Sequence, residues 1–332
     1  MKTETIAAEP QPQAAPARRP RIDFKDFGVL AGLVLIVVYL SFATNTFLTQ
    51  GNIVNLLDQT VVMGLLAVGA TLCIISGVFD LSASANLAIS AIAGVYFTQA
   101  FGVGMGFVLA LVTGTVLGAV TGLLIVVTRV HSFIGSLAMS IIYRGLAVVL
   151  TGGAIVSPAM DQLDGFRIWT KPIVGGITAG TLLFLLAVVI FGIVLWGTTY
   201  GRRIYAVGGN PEAARLSGVR PAWIHISTFA ISGLCAAAAG MVLASRAGSA
   251  QPAMATGIEL TAIAAVVIGG TSIMGGAGAV WRTLVGVLIL TVIANGFNLM
   301  GWDTTYQQVV TGALILIAVA ADSLLLQRLR KK

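Results

Sequence analysis

Charge is scarce in this chain: only 9% of its residues are Asp, Glu, Lys or Arg, against about 25% in soluble globular proteins. A water-facing globular surface is therefore excluded. Cysteine occurs twice, at Cys73 and Cys235, and both lie inside apolar blocks. Their spacing fits neither a metal site nor a disulfide framework, and they read as small buried hydrophobes. Histidine also occurs twice, at His131 and His225, too far apart in sequence to suggest a metal site or a proton relay. The glycine-rich stretch from Val266 to Trp281 is not followed by Gly-Lys-Ser/Thr. It is no phosphate loop, and nucleotide hydrolysis would have to reside on another chain. A formal charge of +7 raises the question of nucleic acid, but no aromatic-rich basic face accompanies it. The basic residues cluster at the ends of apolar blocks, which is how membrane orientation is written, so no nucleic-acid partner is expected.

What the chain has in abundance is apolar sequence, 57% hydrophobic with a mean hydropathy of +0.97. Its apolar blocks reach the roughly 20 residues that cross a bilayer. Strand-like alternation does not recur, so an all-α integral membrane fold is expected. About ten spans are expected, near 28–43, 53–75, 82–100, 104–128, 132–150, 173–197, 223–245, 257–276, 283–300 and 305–325. Residues 1–26, rich in proline and alanine, are expected to be a disordered cytoplasmic tail. A membrane domain over 27–327 and a basic cytoplasmic C-terminus at 328–332 follow. On this layout every Lys and Arg except Arg144, Arg167, Lys171 and Arg246 falls on the cytoplasmic side. The 40 glycines, spread inside the blocks, predict tight helix packing in lipid.

The longest polar interval, at 198–222, is assigned to the cytoplasm by Arg202, Arg203, Arg215 and Arg220. Within it Asn210 suits an N-cap, Pro211 the first helical position, Glu212 the positive helix end and Gly218 the stop, which predicts a helix from Pro211 to Ser217. Two turns are too few to be stable alone in water, and only Ala213, Ala214 and Leu216 offer apolar surface. The helix is either a capped turn joining two spans or an element that docks, on the membrane domain or on a cytosolic protein.

A polar side chain inside a span is a functional candidate. Asp80, in ISGVFDLSASAN with Ser82 and Asn86, can cap the third span, line a solute path, or do both. Ser136, Asn295, Asn298 and Gln308 complete the candidate path, amides suiting a neutral polyhydroxyl solute as well as interhelical bonding. Arg144 and Glu259 can pair or snorkel. The largest outward loop, 151–172, is either a solvated loop or a docking surface for an external partner.

Five stretches, GLLAVGATLCIISGVFDLSAS, SFIGSLAMSIIYRGLAVVLTGG, TTYGRRIYAVGGNPEAARLSGVR, AAVVIGGTSIMGGAGAVWRTLVGVLIL and NGFNLMGWDTTYQQVVTGALILIAV, together resemble the permease subunits of ribose-type sugar ABC importers. The broader group also holds branched-chain amino-acid and nucleoside permeases. The resemblance implies a type II ABC importer-like bundle that carries a monosaccharide inward across the cytoplasmic membrane; an even number of spans and the terminal Lys and Arg residues put both termini in the cytoplasm. It implies a second permease copy or paralogue, an external solute-binding protein, and cytosolic ATP-binding subunits that hold ATP and Mg; this chain itself would bind no cofactor and catalyse nothing. The stretch matching Gly201 to Val219, with Gly201, Asn210, Pro211, Glu212, Ala213, Ala214, Arg215, Leu216 and Gly218, would be its coupling element. The chain departs from the family pattern at Gly77 to Ala85, at Arg282 and at Asp58, which bears on the solute. A nucleoside or branched-chain amino acid is the alternative solute, and an ion-coupled secondary transporter is the rival class.

Overall fold

The computed structural model describes residues 24–303, 305–313, 316 and 320. The tail at 1–26, but for its last three residues, the basic C-terminus and much of the tenth expected span lie outside them. The described chain is helical: α1 Phe24–Ala43, α2 Gln50–Ile75, α3 Ala83–Phe101, α4 Val103–Thr128, α5 Ser132–Thr151, α6 Leu163–Phe166, α7 Ala179–Gly197, α8 Thr199–Gly209, α9 Pro211–Leu216, α10 Pro221–Ala247, α11 Ile258–Ile268 and α12 Val280–Leu299. Six of these (α2, α4, α5, α7, α10 and α12) are long and apolar enough to cross a membrane. The apolar part of α1 and α11 are shorter, and α3, rich in Ser and Ala, has 19 residues.

Three helices form the centre. Residues Thr60 to Ile75 of α2, Ala83 to Ile92 of α3 and Cys235 to Val242 of α10 are buried on every side. Such all-round burial requires small partners, and α4 supplies them at every fourth position: Gly106, Ala110, Gly114, Gly118 and Gly122 all face inward. A Cβ on Gly118 would overlap the Phe229 carbonyl, and one on Gly233 the Gly114 carbonyl. The backbones of α4 and α10 therefore touch, as close-packed helices in lipid do. The opposite face of α4 exposes Val108, Val112, Val116 and Val120, an apolar exterior suited to lipid or to another chain.

Two expected spans differ from observation. The one at 173–197 begins instead as a hairpin, β1 Pro172–Val174 against β2 Ile177–Thr178. Gly175 and Gly176, at φ 60° and 89°, make a two-residue turn, and the Thr178 hydroxyl accepts from Thr181 N–H to start α7 one residue later. The one at 257–276 stops at Ile268, and 269–279 is not helical. At 11 residues α11 is about 16 Å long, half the hydrocarbon thickness.

At the end of the bundle away from α8 and α9, side chains tie the helices together. The amides of Asn52 on α2 and Asn295 on α12 exchange two hydrogen bonds, at 3.0 and 2.9 Å. Arg246 of α10 binds Asp58 of α2, whose carboxylate also accepts from Thr178. Asn295→Leu should leave the Asn52 amide with only its bond to the Phe47 carbonyl and lower stability by about 1 kcal/mol, seen as a lower melting temperature in detergent. The double change with Asn52→Leu should cost less than the two single changes added together.

Candidate functional site

The break between α2 and α3 is irregular backbone set between two buried helix segments. Helix α2 closes with Ser76, after which Gly77 takes φ 87°; the Val78 and Gly77 N–H groups return to the Cys73 and Ile74 carbonyls at 3.0 and 2.9 Å. Past this cap the backbone must find partners elsewhere, since irregular chain inside a membrane bundle persists only when its polar groups are satisfied. Helix α5 provides them. Ser132 and Ser136, one helical turn apart on the same face, accept from Phe79 N–H at 3.1 Å and Leu81 N–H at 3.0 Å, and Ser136 donates to the Phe79 carbonyl at 3.2 Å.

Asp80 sits within this turn at 3% exposure. It is not the N-cap of α3, which is Ser82, although it accepts the N–H of that residue. One oxygen accepts from both the N–H and the hydroxyl of Ser82, at 2.9 and 2.6 Å, and the other accepts from Ser232 of α10 at 2.7 Å. Ser82 is the residue before α3 and spends its hydroxyl on the carboxyl group, so no side chain caps the helix. The result is a clamp between the turn and α10. Beyond it, Arg144 neither pairs with Glu259 nor snorkels: its guanidinium donates to the carbonyls of Pro252 and Met254 and to the Ser84 hydroxyl. Helix α5 is thereby stitched to α3 and to the segment before α11.

The structure thus brings Ser136 of α5 against the turn that holds Asp80 and Ser82 and separates the other path candidates from it. Asn86, fully buried, bonds the Gly114 carbonyl and Ser90 and joins α3 to α4. Asn295 is committed to Asn52, while Asn298 and Gln308 are exposed. Ser132 and Ser232 escaped sequence analysis. The i, i+4 spacing of Ser132 and Ser136 was the available signal; for Ser232 there was none.

At the far side of the Asp80 turn lies a second element. Helix α9 has the caps its sequence predicts, ending one residue early because Ser217 is its C-cap. Asn210 Oδ1 accepts from Ala213 N–H at 3.0 Å. Gly218, at φ 83°, donates to Arg215, and Val219 donates to Ala214, both at 3.0 Å, which closes the helix as a Schellman motif. Glu212 and Arg215 pair at 2.6 Å on its surface, and that bond holds the Glu212 carboxyl below its usual range. The pairing is complete above the ordinary carboxylate pKa and is lost as pH falls through the lowered value. Ala214 alone is buried; Leu216 is 77% exposed.

Helix α9 is carried on α8, which occupies the first half of the polar interval at 198–222. Helix α8 buries Gly201, Ile204, Val207 and Gly208 along one side. Tyr205 donates to the Gly278 carbonyl at 2.8 Å, and Tyr200 bonds Ser227 of α10 at 2.6 Å. At its end, three glycine-bearing segments meet. Gly276 N–H donates to the Ile75 carbonyl at 2.8 Å. A Cβ on Gly275 would stand 2.8 Å from the Gly208 carbonyl oxygen and 3.0 Å from the Gly77 Cα, and one on Gly208 would overlap the Ile75 carbonyl. Helix α8 is therefore in backbone contact with the end of α2, three residues before Asp80 at its closest glycine.

Chemically, the site can hold, orient and transmit. Among the described residues no group of three His, Cys, Asp or Glu could hold a metal ion, and Cys73 and Cys235 are buried free thiols.

Comparison with known proteins places this geometry. The family model described as branched-chain amino acid transport system / permease component matches residues 52–319. The ribose import permease protein RbsC of Bacillus subtilis is 39% identical over 97% of this chain and 98% of its own length. That of Escherichia coli K12 is 38% identical over 89% and 92%. The xylose transport system permease protein XylH of the same strain is 33% identical over 91% and 92%. No solved structure matches the chain. With a family model covering its length from α2 past α12, and relatives aligned almost end to end, the chain belongs to the branched-chain amino acid transport system permease component family.

Proposed function

We propose that this chain is the permease subunit of a binding-protein-dependent ABC importer and carries a monosaccharide inward, paired with a second copy or a paralogue. The ribose and xylose permeases among its relatives support a sugar of that size. The reading includes ten spans in a type II ABC importer-like bundle and cytoplasmic termini, consistent with the distribution of Lys and Arg. ATP and Mg would be bound by cytosolic partner subunits, and an external solute-binding protein would deliver the sugar. The turn of Asp80 and Ser82, with Ser136 of α5 against it, forms part of the wall of the path, with Asn298 and Gln308 nearer its outer entry. Asn86 and Asn295 hold the wall's helices together.

The observation that carries this reading is α9. A doubly capped two-turn helix seats only Ala214 on its own protein and leaves Ala213, Leu216 and the Glu212–Arg215 pair exposed, a small face suited to a cleft on an ATP-hydrolysing partner. Helix α8 supports a mechanical role because it leads from that face to the end of α2. An ATPase that contacts α9 differently in its two nucleotide states biases the path; one that contacts it equally cannot. Leu216→Asp should leave the permease inserted and folded while uptake falls to background and ATP hydrolysis no longer responds to the loaded binding protein. Undiminished uptake by that variant in proteoliposomes holding the complete importer would remove α9 from the mechanism. Gly218→Ala should show a weaker version of the same defect, since a side chain in the left-handed region costs about 1–2 kcal/mol.

A further inference from the structure

The break after α2 borders a cleft that the transport reading does not use. It is an open cleft of about 330 Å³ whose lining includes Gly77, Arg129, His131, Ser132 and His225. That volume is at the lower end of small-molecule sites. No carboxylate lines it, whereas three basic side chains do. Arg129 makes no ion pair among the described residues, and it holds φ 57° at the C-cap of α4, where a glycine would fit without strain. His131 Nδ1 accepts from Phe133 N–H at 3.4 Å, which leaves Nε2–H as a donor. His225 Nε2 lies 3.2 Å from the Ser76 carbonyl, so that nitrogen carries the hydrogen. Ser132, 7% exposed, accepts from Phe79 N–H, and its own hydroxyl hydrogen has no acceptor among the described residues.

We propose that this cleft binds a phosphate-bearing anion through the Arg129 guanidinium, the His131 Nε2–H and the Ser132 hydroxyl. A guanidinium fork matches phosphate oxygens two at a time, and the two neutral donors add hydrogen bonds to the remaining oxygens. The anion is either the headgroup of a phospholipid or a free phosphorylated solute; the donors are the same for both. Because Ser132 also holds the Phe79 N–H and Gly77 lines the cleft, occupancy bears directly on the turn that carries Asp80.

The test is binding to the purified full-length chain in an uncharged detergent. One arm titrates inorganic phosphate by calorimetry, and the other counts phosphatidylglycerol molecules retained per chain by native mass spectrometry. Arg129→Gly should weaken binding at least about tenfold, the effect of losing hydrogen bonds to a charged group, with a melting temperature unchanged or raised. Arg129→Asn, which also tolerates the left-handed region, should behave alike and serves if the glycine variant is unstable. Saturable phosphate binding lost in these variants supports the free-anion source. Retention of one lipid per chain without phosphate binding, again lost in the variants, supports the headgroup. Wild-type protein that binds neither, or variants that bind as tightly as wild type, would overturn the proposal.

Discussion

Gly208→Ala will bring transport to background, whereas Gly209→Ala, one residue along the same helix, will leave it near the wild-type rate. The two positions look alike in sequence and differ in what a methyl group would meet. At Gly208 it would overlap the Ile75 carbonyl and stand 2.7 Å from the Gly276 nitrogen; at Gly209 nothing lies within 4 Å. The neighbours at Gly208 are backbone atoms of two other segments and cannot swing aside as a side chain would. Inserting an atom there must push α8 off the end of α2 or break the bond between Gly276 and Ile75. Overpacking of this kind costs about 1–3 kcal/mol, so the substitution should lower the melting temperature as well as the rate. Transport that survives in Gly208→Ala with α8 still folded would show that contact between α8 and α2 is not the route by which α9 acts.

Asp80→Ala is expected to be the most damaging change in the centre of the bundle. Three donors, the N–H and hydroxyl of Ser82 and the hydroxyl of Ser232, converge on the carboxyl group. Truncation leaves all three buried without an acceptor and opens a void. Leaving buried donors unsatisfied costs about 1–3 kcal/mol each, so a loss of about 3 kcal/mol or more is expected, together with loss of transport. Asp80→Asn keeps one oxygen for Ser82 and turns an amide toward Ser232, whose hydroxyl can rotate to accept. It should recover most of the stability. If the asparagine variant is stable and transports normally, Asp80 is purely a structural clamp; if it is stable and inactive, the carboxyl group has a role in the path itself. Melting temperature and uptake measured on the same preparations separate the two.

How far these features were legible in the sequence depends on whether their causes were local. The caps of α9 were, because Asn210, Pro211 and Gly218 act within a few residues of themselves, and the helix ends within one residue of expectation. The family was legible too, because five stretches in fixed order carry it. Helix α8 was not read: YGRRIYAVGG is polar on average, and its packed side shows only as the recurrence of Gly201, Ile204, Val207 and Gly208, partly through glycines, which hydropathy does not score. The hairpin at Pro172–Thr178 was masked by the apolar run that follows, although Gly175-Gly176 between two β-branched pairs is a turn signal. The fates of Asn86 and Asn295 could not be read, since an amide in a span is written identically whether it faces a solute or another amide 243 positions away. Asp80 stands out in the sequence, but its partners lie two residues away on one side and on α10 on the other, and the second is a fact of packing. The count of ten spans stands as part of the proposal, since among the described residues six helices qualify alone, α1, α3 and α11 fall short of them by length or composition, and much of the tenth expected span lies outside the described residues.

The most direct measurement is sugar accumulation in proteoliposomes that hold this chain with and without its ATP-hydrolysing partner, the binding protein being supplied outside and ATP inside. Accumulation of ribose or xylose above the external concentration only when the partner, ATP and binding protein are all present is the predicted result. Uphill uptake by this chain alone, sustained by a proton gradient and indifferent to ATP, would contradict it.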